Sequence, residues 1–295
     1  MSAIIIDGKR IANEIREELS LEIAELKKDD ITPGLATVLI GNDPASEAYV
    51  RMKKKACEKL GIMTRSIEKE SSISQEELLG IIDELSSDNS VHGILVQLPL
   101  PKHIDEKAVI NAIPVEKDVD GFHPNSLGKM MIGESGFLPC TPAGIQELLM
   151  RSGFSPSKKK VVILGRSNIV GLPLANLLLK KNESANATVT VCHTGTKDFS
   201  EYTRDADIVI AAMGRAEVLT GDMIREGAVV IDVGTNRVED PDAKRGYRLV
   251  GDVHFESVSK KAGAVSPVPG GVGPMTITML LKNTVESAKI KHKRQ

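Results

Sequence analysis

The sequence of 295 residues contains no tryptophan, and aromatic side chains make up only 3% of it. Proteins that hold single-stranded nucleic acids stack the bases on aromatic rings, so this scarcity argues against such a role. The formal net charge of −2 gives no long-range attraction to nucleic acids or to anionic membrane surfaces. No apolar run reaches the roughly 18 residues that a membrane-spanning helix needs. The sequence therefore predicts neither a nucleic-acid partner nor a membrane partner.

Residues that form disulfides or bind metals are also sparse. The three cysteines, Cys57, Cys140 and Cys192, show no C-x-x-C spacing, so neither a disulfide framework nor a zinc cluster is indicated. The six histidines include no pair at ligand spacing, and we expect no metal site. The first residues, MSAIIIDGKR, place charges directly after a very short apolar patch, unlike a secretory signal. We therefore expect a reduced, cytoplasmic protein.

What the chain does contain is a repeated pattern of short apolar strands, each followed by an amphipathic helix. LATVLIG and HGILVQLPLP belong to a first series, and a second series consists of VVILG, TVTVCH, ADIVIAAMG, AVVIDVG and RLVGDV. Strands that are apolar on both faces and alternate with helices predict a parallel sheet covered on both sides. The fold class is therefore α/β with two domains, an N-terminal α/β domain (1–141 plus 270–295) and a Rossmann-type dinucleotide-binding domain (142–269). The last helix is expected to return to the first domain.

A lysine interrupts the apolar face of one predicted helix. Asp43 and Gly61 mark the ends of this helix, because aspartate accepts orphan amide bonds and glycine tolerates a left-handed cap. At about 100° per residue, Lys53 falls on the face formed by Tyr49, Met52, Ala56 and Leu60. The ammonium either reaches solvent along its methylene stem or lines a cleft with a lowered pKa, where it could carry a proton. In the second case Tyr49, one turn earlier, would face the same ligand.

Further polar residues stand where ligands of α/β sheets collect. Gln97 interrupts the apolar run of its strand near the carboxyl end, and it either bonds neighbouring backbone or serves a ligand. Asp118 and Asp120 flank a turn in KDVDG. They serve the turn itself, or one of them accepts hydrogen bonds from a polar heterocycle.

A glycine-bearing turn opens the second domain. In GRSNIVGLP, Gly165 and Gly171 either form a simple tight turn or let the backbone approach a pyrophosphate. An NAD enzyme usually has a carboxylate after the next strand. Here that segment offers His193, Thr194 and Lys197. Arg166 in the turn is either a surface charge or a partner for the 2′-phosphate of NADP. In the second case, the missing carboxylate and Arg166 together favour NADP over NAD.

Six ordered motifs resemble one family. They are residues 49–53 (YVRMK), 97–101 (QLPLP), 117–122 (KDVDGF), 139–142 (PCTP), 165–167 (GRS) and 269–276 (PGGVGPMT). Taken together, the chain resembles the bifunctional methylenetetrahydrofolate dehydrogenase/methenyltetrahydrofolate cyclohydrolase family over essentially its whole length.

The resemblance implies a function and a set of site residues. The implied activity is NADP-dependent oxidation of 5,10-methylenetetrahydrofolate, followed by hydrolysis to 10-formyltetrahydrofolate, in a homodimer that serves one-carbon metabolism and purine biosynthesis. The first domain would bind folate, and one cleft between the domains would serve both steps. The implied catalytic residues are Lys53, Gln97, Tyr49 and Asp120. Leu98, Pro269, Gly270 and Gly273 join them in substrate binding, and NADP is expected at Gly165, Arg166, Ser167, Thr194 and Thr235.

Three positions depart from the family pattern. Thr194 stands where serine is frequent, Thr235 replaces a common isoleucine, and Ser126 replaces a common asparagine. None of these changes removes a residue assigned to proton or hydride transfer. Three alternatives stay open on other grounds. The chain could be a monofunctional relative, a non-catalytic nucleotide sensor or scaffold on the same fold, or another NADP-dependent dehydrogenase such as a shikimate-type enzyme.

Overall fold

The computed structural model describes residues 2–243 and 246–293, and these contain eleven strands and ten α-helices. The strands are β1 (Ile4–Ile5), β2 (Gly34–Ile40), β3 (Met63–Lys69), β4 (Gly93–Val96), β5 (Lys160–Leu164), β6 (Thr188–Cys192), β7 (Ile208–Ala211), β8 (Val229–Asp232), β9 (Asn236–Glu239), β10 (Tyr247–Val250) and β11 (Ala264–Val265). The helices are α1 (Gly8–Lys28), α2 (Pro44–Leu60), α3 (Gln75–Ser87), α4 (Glu106–Ala112), α5 (Pro124–Ile132), α6 (Cys140–Arg151), α7 (Gly171–Leu178), α8 (Ser200–Thr203), α9 (Phe255–Ser259) and α10 (Val272–His292).

The chain divides into two compact units. The six-stranded unit comprises the residues up to Asn13 together with Thr141–Thr276, and the three-stranded unit comprises Glu14–Cys140 together with the chain from Ile277 onward. The predicted boundaries differ from this division at two places. The N-terminal segment belongs to the six-stranded unit because β1 pairs with β11, and residues 270–276 also belong there. The predicted outer limits at residues 1 and 295 lie outside the described residues.

The six-stranded unit has the order β1-β11-β8-β7-β5-β6, with every neighbouring pair parallel. Every residue of β7 and β8 is buried, as expected for strands covered on both faces. β5 is the first strand of this Rossmann-type series, and β6 and β7 lie on opposite sides of it. The strand order therefore reverses between β5 and β7, at the point where open α/β sheets bind their ligands.

One strand of the predicted series was assigned wrongly. β10 pairs antiparallel with β9 in a separate two-stranded sheet. Only Val250 in β10 is buried, whereas Arg248 and Leu249 are exposed. The strand therefore lacks the second apolar face that a place in the parallel sheet requires.

The three-stranded unit has the parallel order β3-β2-β4. Every residue of the central strand β2 is buried, whereas the edge strand β3 has none that is. Apolar residues of β2 and β4 pack with α3 and α4 in one core. The part of α10 from Ile277 onward belongs to this unit, which confirms the predicted return of the last helix. No helix in the described part of the chain is long and apolar enough to cross a membrane.

Candidate active site

Helix α2 positions Lys53. As predicted, Asp43 caps its start by accepting a hydrogen bond from the Ser46 amide (2.8 Å), and Gly61 ends it in the left-handed conformation (φ 73°). The predicted face is wrong at Met52, which is 46% exposed. The buried stripe instead follows Ser46, Val50, Lys53 and Cys57, with Ala56 beside it, at i, i+4, i+7 and i+11.

Lys53 does not reach solvent. Its side chain lies in the middle of this stripe, and the residue is only 7% exposed. Its Nζ donates a hydrogen bond to Gln97 Oε1 at 3.0 Å. The buried-lysine interpretation is therefore the one that the structure supports, and the amine has a defined partner.

Gln97 follows β4 directly and holds two partners at once. Its Nε2 donates to the carbonyl of Leu98 at 2.8 Å, while its Oε1 accepts from Lys53. Because the carbonyl can only accept, the amide nitrogen must face it, and the oxygen must then face the lysine. The backbone interpretation of Gln97 is confirmed, and that bond orients its amide oxygen toward Lys53. Its service to a ligand stays a prediction.

The two aspartates of KDVDG have separate roles. Asp118 is buried and accepts hydrogen bonds from Phe122 N (3.2 Å), His123 N (2.9 Å) and Ser126 Oγ (2.7 Å). It therefore serves the turn and the start of α5. Asp120 is half-buried and interacts electrostatically with Lys53. Ser126 departs from the family pattern, and its hydroxyl is the group that donates to Asp118.

Burial pushes both members of the Lys53–Asp120 pair toward their neutral forms. Desolvation lowers the pKa of Lys53, and the Asp120 carboxylate opposes that shift. Desolvation also raises the pKa of Asp120, which Lys53 and the thiol of Cys140 oppose. Lys53 can therefore act as a base at a lower pH than an ordinary lysine.

Cys140 is a site residue that the sequence analysis did not assign. It is 1% exposed, its Sγ donates to the carbonyl of Val119 at 3.3 Å, and the thiol also interacts with the Asp120 carboxylate. Burial raises the pKa of this thiol well above its ordinary value, so it is a neutral donor. The PCTP motif includes Cys140, but the cysteines were considered in the sequence only as possible disulfide partners or metal ligands.

A small cavity adjoins Asp120. Its lining includes Leu98 and Asp118, with apolar side chains from β4 and α4. Tyr49 is half-buried one turn before Lys53. The structure thus brings Lys53, Gln97, Leu98 and Asp120 together in the three-stranded unit, with Tyr49 on the same helix.

The remaining predicted substrate residues lie in the six-stranded unit. Pro269 and Gly270 precede α10, and Gly273 is its second residue. Gly270 has φ 116°, a conformation that favours glycine, and its carbonyl accepts a hydrogen bond from Lys9 N at 3.1 Å. Their contact with substrate stays a prediction.

Packing within the protein accounts for both glycines of the β5–α7 turn. Gly165 has φ 129°, and a Cβ there would lie 2.1 Å from the Ala212 carbonyl oxygen. A Cβ on Gly171 would lie 2.1 Å from the Gly165 carbonyl oxygen. The turn is therefore pressed against β7 and the start of α7, at the point where the strand order reverses. This close approach fits a phosphate cradle, although the glycines are needed even without a ligand.

Four polar residues predicted to bind the cofactor are exposed after parallel strands of this sheet. Arg166 and Ser167 follow β5, Thr194 follows β6, and Thr235 follows β8. Because the carboxyl ends of parallel strands meet at one edge, all four lie along the same edge. The first carboxylate after β6 belongs to Asp198, which accepts from Ser200 N at 2.8 Å. The arrangement fits an NADP cofactor, and the individual contacts stay predictions.

A second residue that sequence reasoning missed is Asp252. It is fully buried, and its carboxylate accepts hydrogen bonds from Asn236 Nδ2 (2.9 Å) and from the backbone amides of residues 213–215. Those residues form the loop after β7, so one carboxylate holds the loop beside the β5–β7 crevice. The incorrect assignment of RLVGDV as a parallel strand concealed this role. Within residues 2–243 and 246–293, no cluster of three or more potential ligands forms a metal site.

Known families match both units in the expected order. The model for the catalytic domain of tetrahydrofolate dehydrogenase/cyclohydrolase matches residues 6–120. The model for the NAD(P)-binding domain of the same proteins matches residues 139–292. The chain belongs to the tetrahydrofolate dehydrogenase/cyclohydrolase family. The resemblance drawn from the six motifs is confirmed.

Relatives within this family match nearly end to end. The bifunctional protein FolD of Moorella thermoacetica is 57% identical over 289 residues, which cover 98% of this chain and 100% of the relative. The solved structure of the bifunctional enzyme FolD, a methylenetetrahydrofolate dehydrogenase/cyclohydrolase, from Campylobacter jejuni has a TM-score of 0.92 and 49% identity, covering 98% and 100% of the two chains. The FolD of Trypanosoma brucei, solved with NADP cofactor and an inhibitor, has a TM-score of 0.94 and 42% identity, covering 99% of each chain.

Proposed function

We propose that this chain is a bifunctional enzyme of one-carbon folate metabolism. It oxidises 5,10-methylenetetrahydrofolate to the methenyl form with NADP, and it hydrolyses the methenyl form to 10-formyltetrahydrofolate. The observation that carries the proposal is the buried Lys53, held at 3.0 Å by Gln97 and coupled to Asp120. Family membership supports the folate substrate, because the matched models belong to tetrahydrofolate dehydrogenases/cyclohydrolases.

The dehydrogenase step depends on how the folate is held. A hydride leaves the methylene carbon that bridges N5 and N10, and NADP, when bound, accepts it. Asp120 accepts hydrogen bonds from the amino-pyrimidine part of the pterin, and Leu98 lines the adjoining cavity. Tyr49 orients the aminobenzoate part. Fixing the ring at both ends sets which carbon faces the hydride acceptor.

The cyclohydrolase step needs a base. Water attacks the cationic methenyl carbon, a C–O bond forms, and the water must lose a proton. Lys53 takes that proton when its amine is neutral, and burial favours the neutral form. Since Gln97 accepts one amine hydrogen, the nitrogen lone pair is directed away from Gln97 and is available to the water. The hydroxyl of the adduct then loses its proton as the carbonyl forms, N5 takes up a proton as the carbon–N5 bond breaks, and the formyl group stays on N10.

The biological setting belongs to the same proposal. The enzyme works as a cytoplasmic homodimer, and its product supplies formyl groups for purine biosynthesis. Family resemblance supports each of these points. Light scattering that gave the mass of one chain at micromolar concentration would contradict the homodimer.

One titration tests the proposed function. Methylenetetrahydrofolate is mixed with NADP or with NAD, and NADPH formation and methenyl absorbance are followed together. We expect NADPH to form and the methenyl signal to decay faster than in buffer. Decay at the buffer rate would indicate a monofunctional dehydrogenase. Failure to bind folate, with turnover of shikimate, would indicate the third alternative.

Two lysines of the same helix sharpen the assignment. Lys53→Met removes the buried amine, whereas Lys55→Met removes an exposed one. We expect Lys53→Met to lose cyclohydrolase activity while NADP still binds, and Lys55→Met to keep both activities. Unchanged turnover in Lys53→Met would show that this amine does not carry the proton.

A further inference from the structure

The last helix contributes one side chain to the back of the folate site. Asn283 lies in α10, and its Nδ2 donates hydrogen bonds to the carbonyls of Val119 (2.8 Å) and Leu138 (3.1 Å). The same nitrogen is 3.7 Å from Cys140 Sγ. An amide NH2 group has two hydrogens, so these two carbonyls engage both of them.

The two segments that Asn283 bridges are packed back to back. Gly121 has φ 77°, and a Cβ on it would lie 2.6 Å from the carbonyl carbon of Leu138. The amide of Cys140 donates to the carbonyl of Asp120 at 3.3 Å. Val119 directly precedes Asp120, and Leu138 lies two residues before Cys140. Asn283 therefore fastens the backbone on both sides of the carboxylate and thiol that face Lys53.

We propose that Asn283 is a positioning residue, which holds Asp120 and Cys140 at the distance from Lys53 that folate binding and proton transfer require. The inference rests on the proposed function, because it assigns Asn283 a role through Asp120. Asn283 touches neither carboxylate nor amine through any of these hydrogen bonds. Its effect passes through the two backbone segments.

Ser287 offers a matched control on the same helix, one turn later. It is buried, and its hydroxyl donates toward the carbonyls of His92 (2.6 Å) and Glu116 (2.8 Å). Like Asn283, it joins α10 to two backbone segments, but it has no contact with residues 119–121 or 138–140 in these bonds. Ser287→Ala should therefore reproduce the loss of stability without the loss of geometry at the site.

The experiment compares Asn283→Ala and Ser287→Ala in both half-reactions. For Asn283→Ala we expect the KM for methylenetetrahydrofolate to rise about tenfold or more, because small displacements of a positioning group are costly. The NADP dissociation constant should not change. The pH profile of the cyclohydrolase should shift to lower pH, since a displaced Asp120 raises the pKa of Lys53 less. Ser287→Ala should show neither kinetic change.

Each outcome decides the inference. If both variants lose the same stability in urea and keep the same KM and pH profile, Asn283 is only structural and the inference is overturned. Should Asn283→Ala fail to fold, Asn283→Ser retains one donor and should show the same changes in smaller degree, and a wild-type KM and pH profile in it would also overturn the inference. Inactivity of the wild-type enzyme toward methylenetetrahydrofolate would instead refute the proposed function.

Discussion

Replacing Gln97 by glutamate is the sharpest perturbation of the proposed base, because it changes charge with little change of shape. In the wild type a neutral amide oxygen lies 3.0 Å from Lys53 Nζ. In Gln97→Glu a carboxylate oxygen takes its place and stabilises the ammonium form. Two unit charges at 3.0 Å interact by about 5.5 kcal/mol at an effective dielectric constant of about 20. That energy favours the ammonium form, so the pKa of Lys53 rises in the variant.

The observed rise will be smaller, because the new carboxylate must itself be desolvated and because it faces the Leu98 carbonyl. Half of that interaction energy still lowers the neutral fraction of Lys53 by about a hundredfold at any pH below its pKa. We therefore expect the cyclohydrolase rate at pH 7 to fall by about a hundredfold or more, and its pH profile to move to higher pH. The sign follows from the base: activity requires the neutral amine, and the variant favours the ammonium.

The assay is stopped-flow loss of methenyl absorbance over a range of pH, with NADP binding measured separately. Gln146→Glu is the matched control, because Gln146 Nε2 also donates to a backbone carbonyl, that of Ser184, at 2.7 Å. Gln146→Glu also loses a hydrogen bond from a side-chain amide to a backbone carbonyl, but residue 146 lies in the six-stranded unit. An unchanged pH profile in Gln97→Glu, in a variant that still binds NADP, would refute Lys53 as the base.

Three further predictions concern groups outside the proton transfer. Lys117 is buried, and its Nζ donates to three carbonyls at the end of α3 (2.7 to 3.0 Å), so Lys117→Met should lower the free energy of unfolding by about 2 kcal/mol in urea titrations. Asp252→Asn should weaken NADP binding about tenfold in fluorescence titrations, with the folate KM unchanged, because an amide NH2 then faces backbone N–H groups; equal NADP affinity would contradict the role of Asp252 in the β7 loop. Burial lowers the pKa of His92 below its usual 6.5, and its Nδ1 accepts from Gly34 N at 3.1 Å. The neutral imidazole is the folded form, so its stabilisation is present above pH 6.5 and is lost as the pH falls toward the lower folded pKa. His92→Asn, whose Oδ1 can accept the same bond, should show a smaller drop in unfolding midpoint between pH 7 and 5 than the wild type.

Most strands that the sequence predicted have apolar residues on both faces, although β6 was also predicted and has only Cys192 buried. β2, β4, β7 and β8 are buried along their whole length, so an unbroken apolar run is enough to find them. β1 and β11 have only two residues each, too few to show a period, so no local pattern indicates that the N-terminal segment pairs with the six-stranded sheet. β10 shows the opposite error. A few apolar residues predicted a buried strand, but only one of its four residues is buried.

The site was predictable where a polar residue contradicts its local pattern. Lys53 and Gln97 each stand among apolar neighbours, and the cost of burying them pointed to a partner. Asn283 and Cys140 raise no such conflict, because their partners lie far away in the sequence. Asn283 meets Val119 across 164 positions, and no local period encodes that contact. Met52 shows a further limit: helical spacing gives the width of a face, but only packing decides which of its edges is buried.

The opposed pKa shifts of Lys53 and Asp120 bear on how one site can serve two reactions. Burial favours the neutral form of each group, and the charge of each favours the ionised form of the other, so burial and charge act in opposite directions on the pair. Under the proposed function, removal of a hydride leaves a cation on the folate beside this pair. A new positive charge repels the ammonium and attracts the carboxylate, which lowers the pKa of Lys53 while keeping Asp120 ionised. Under that proposal the dehydrogenase product favours the neutral Lys53 that its own hydrolysis needs, whereas an isolated surface lysine lacks the burial that lowers the pKa of Lys53.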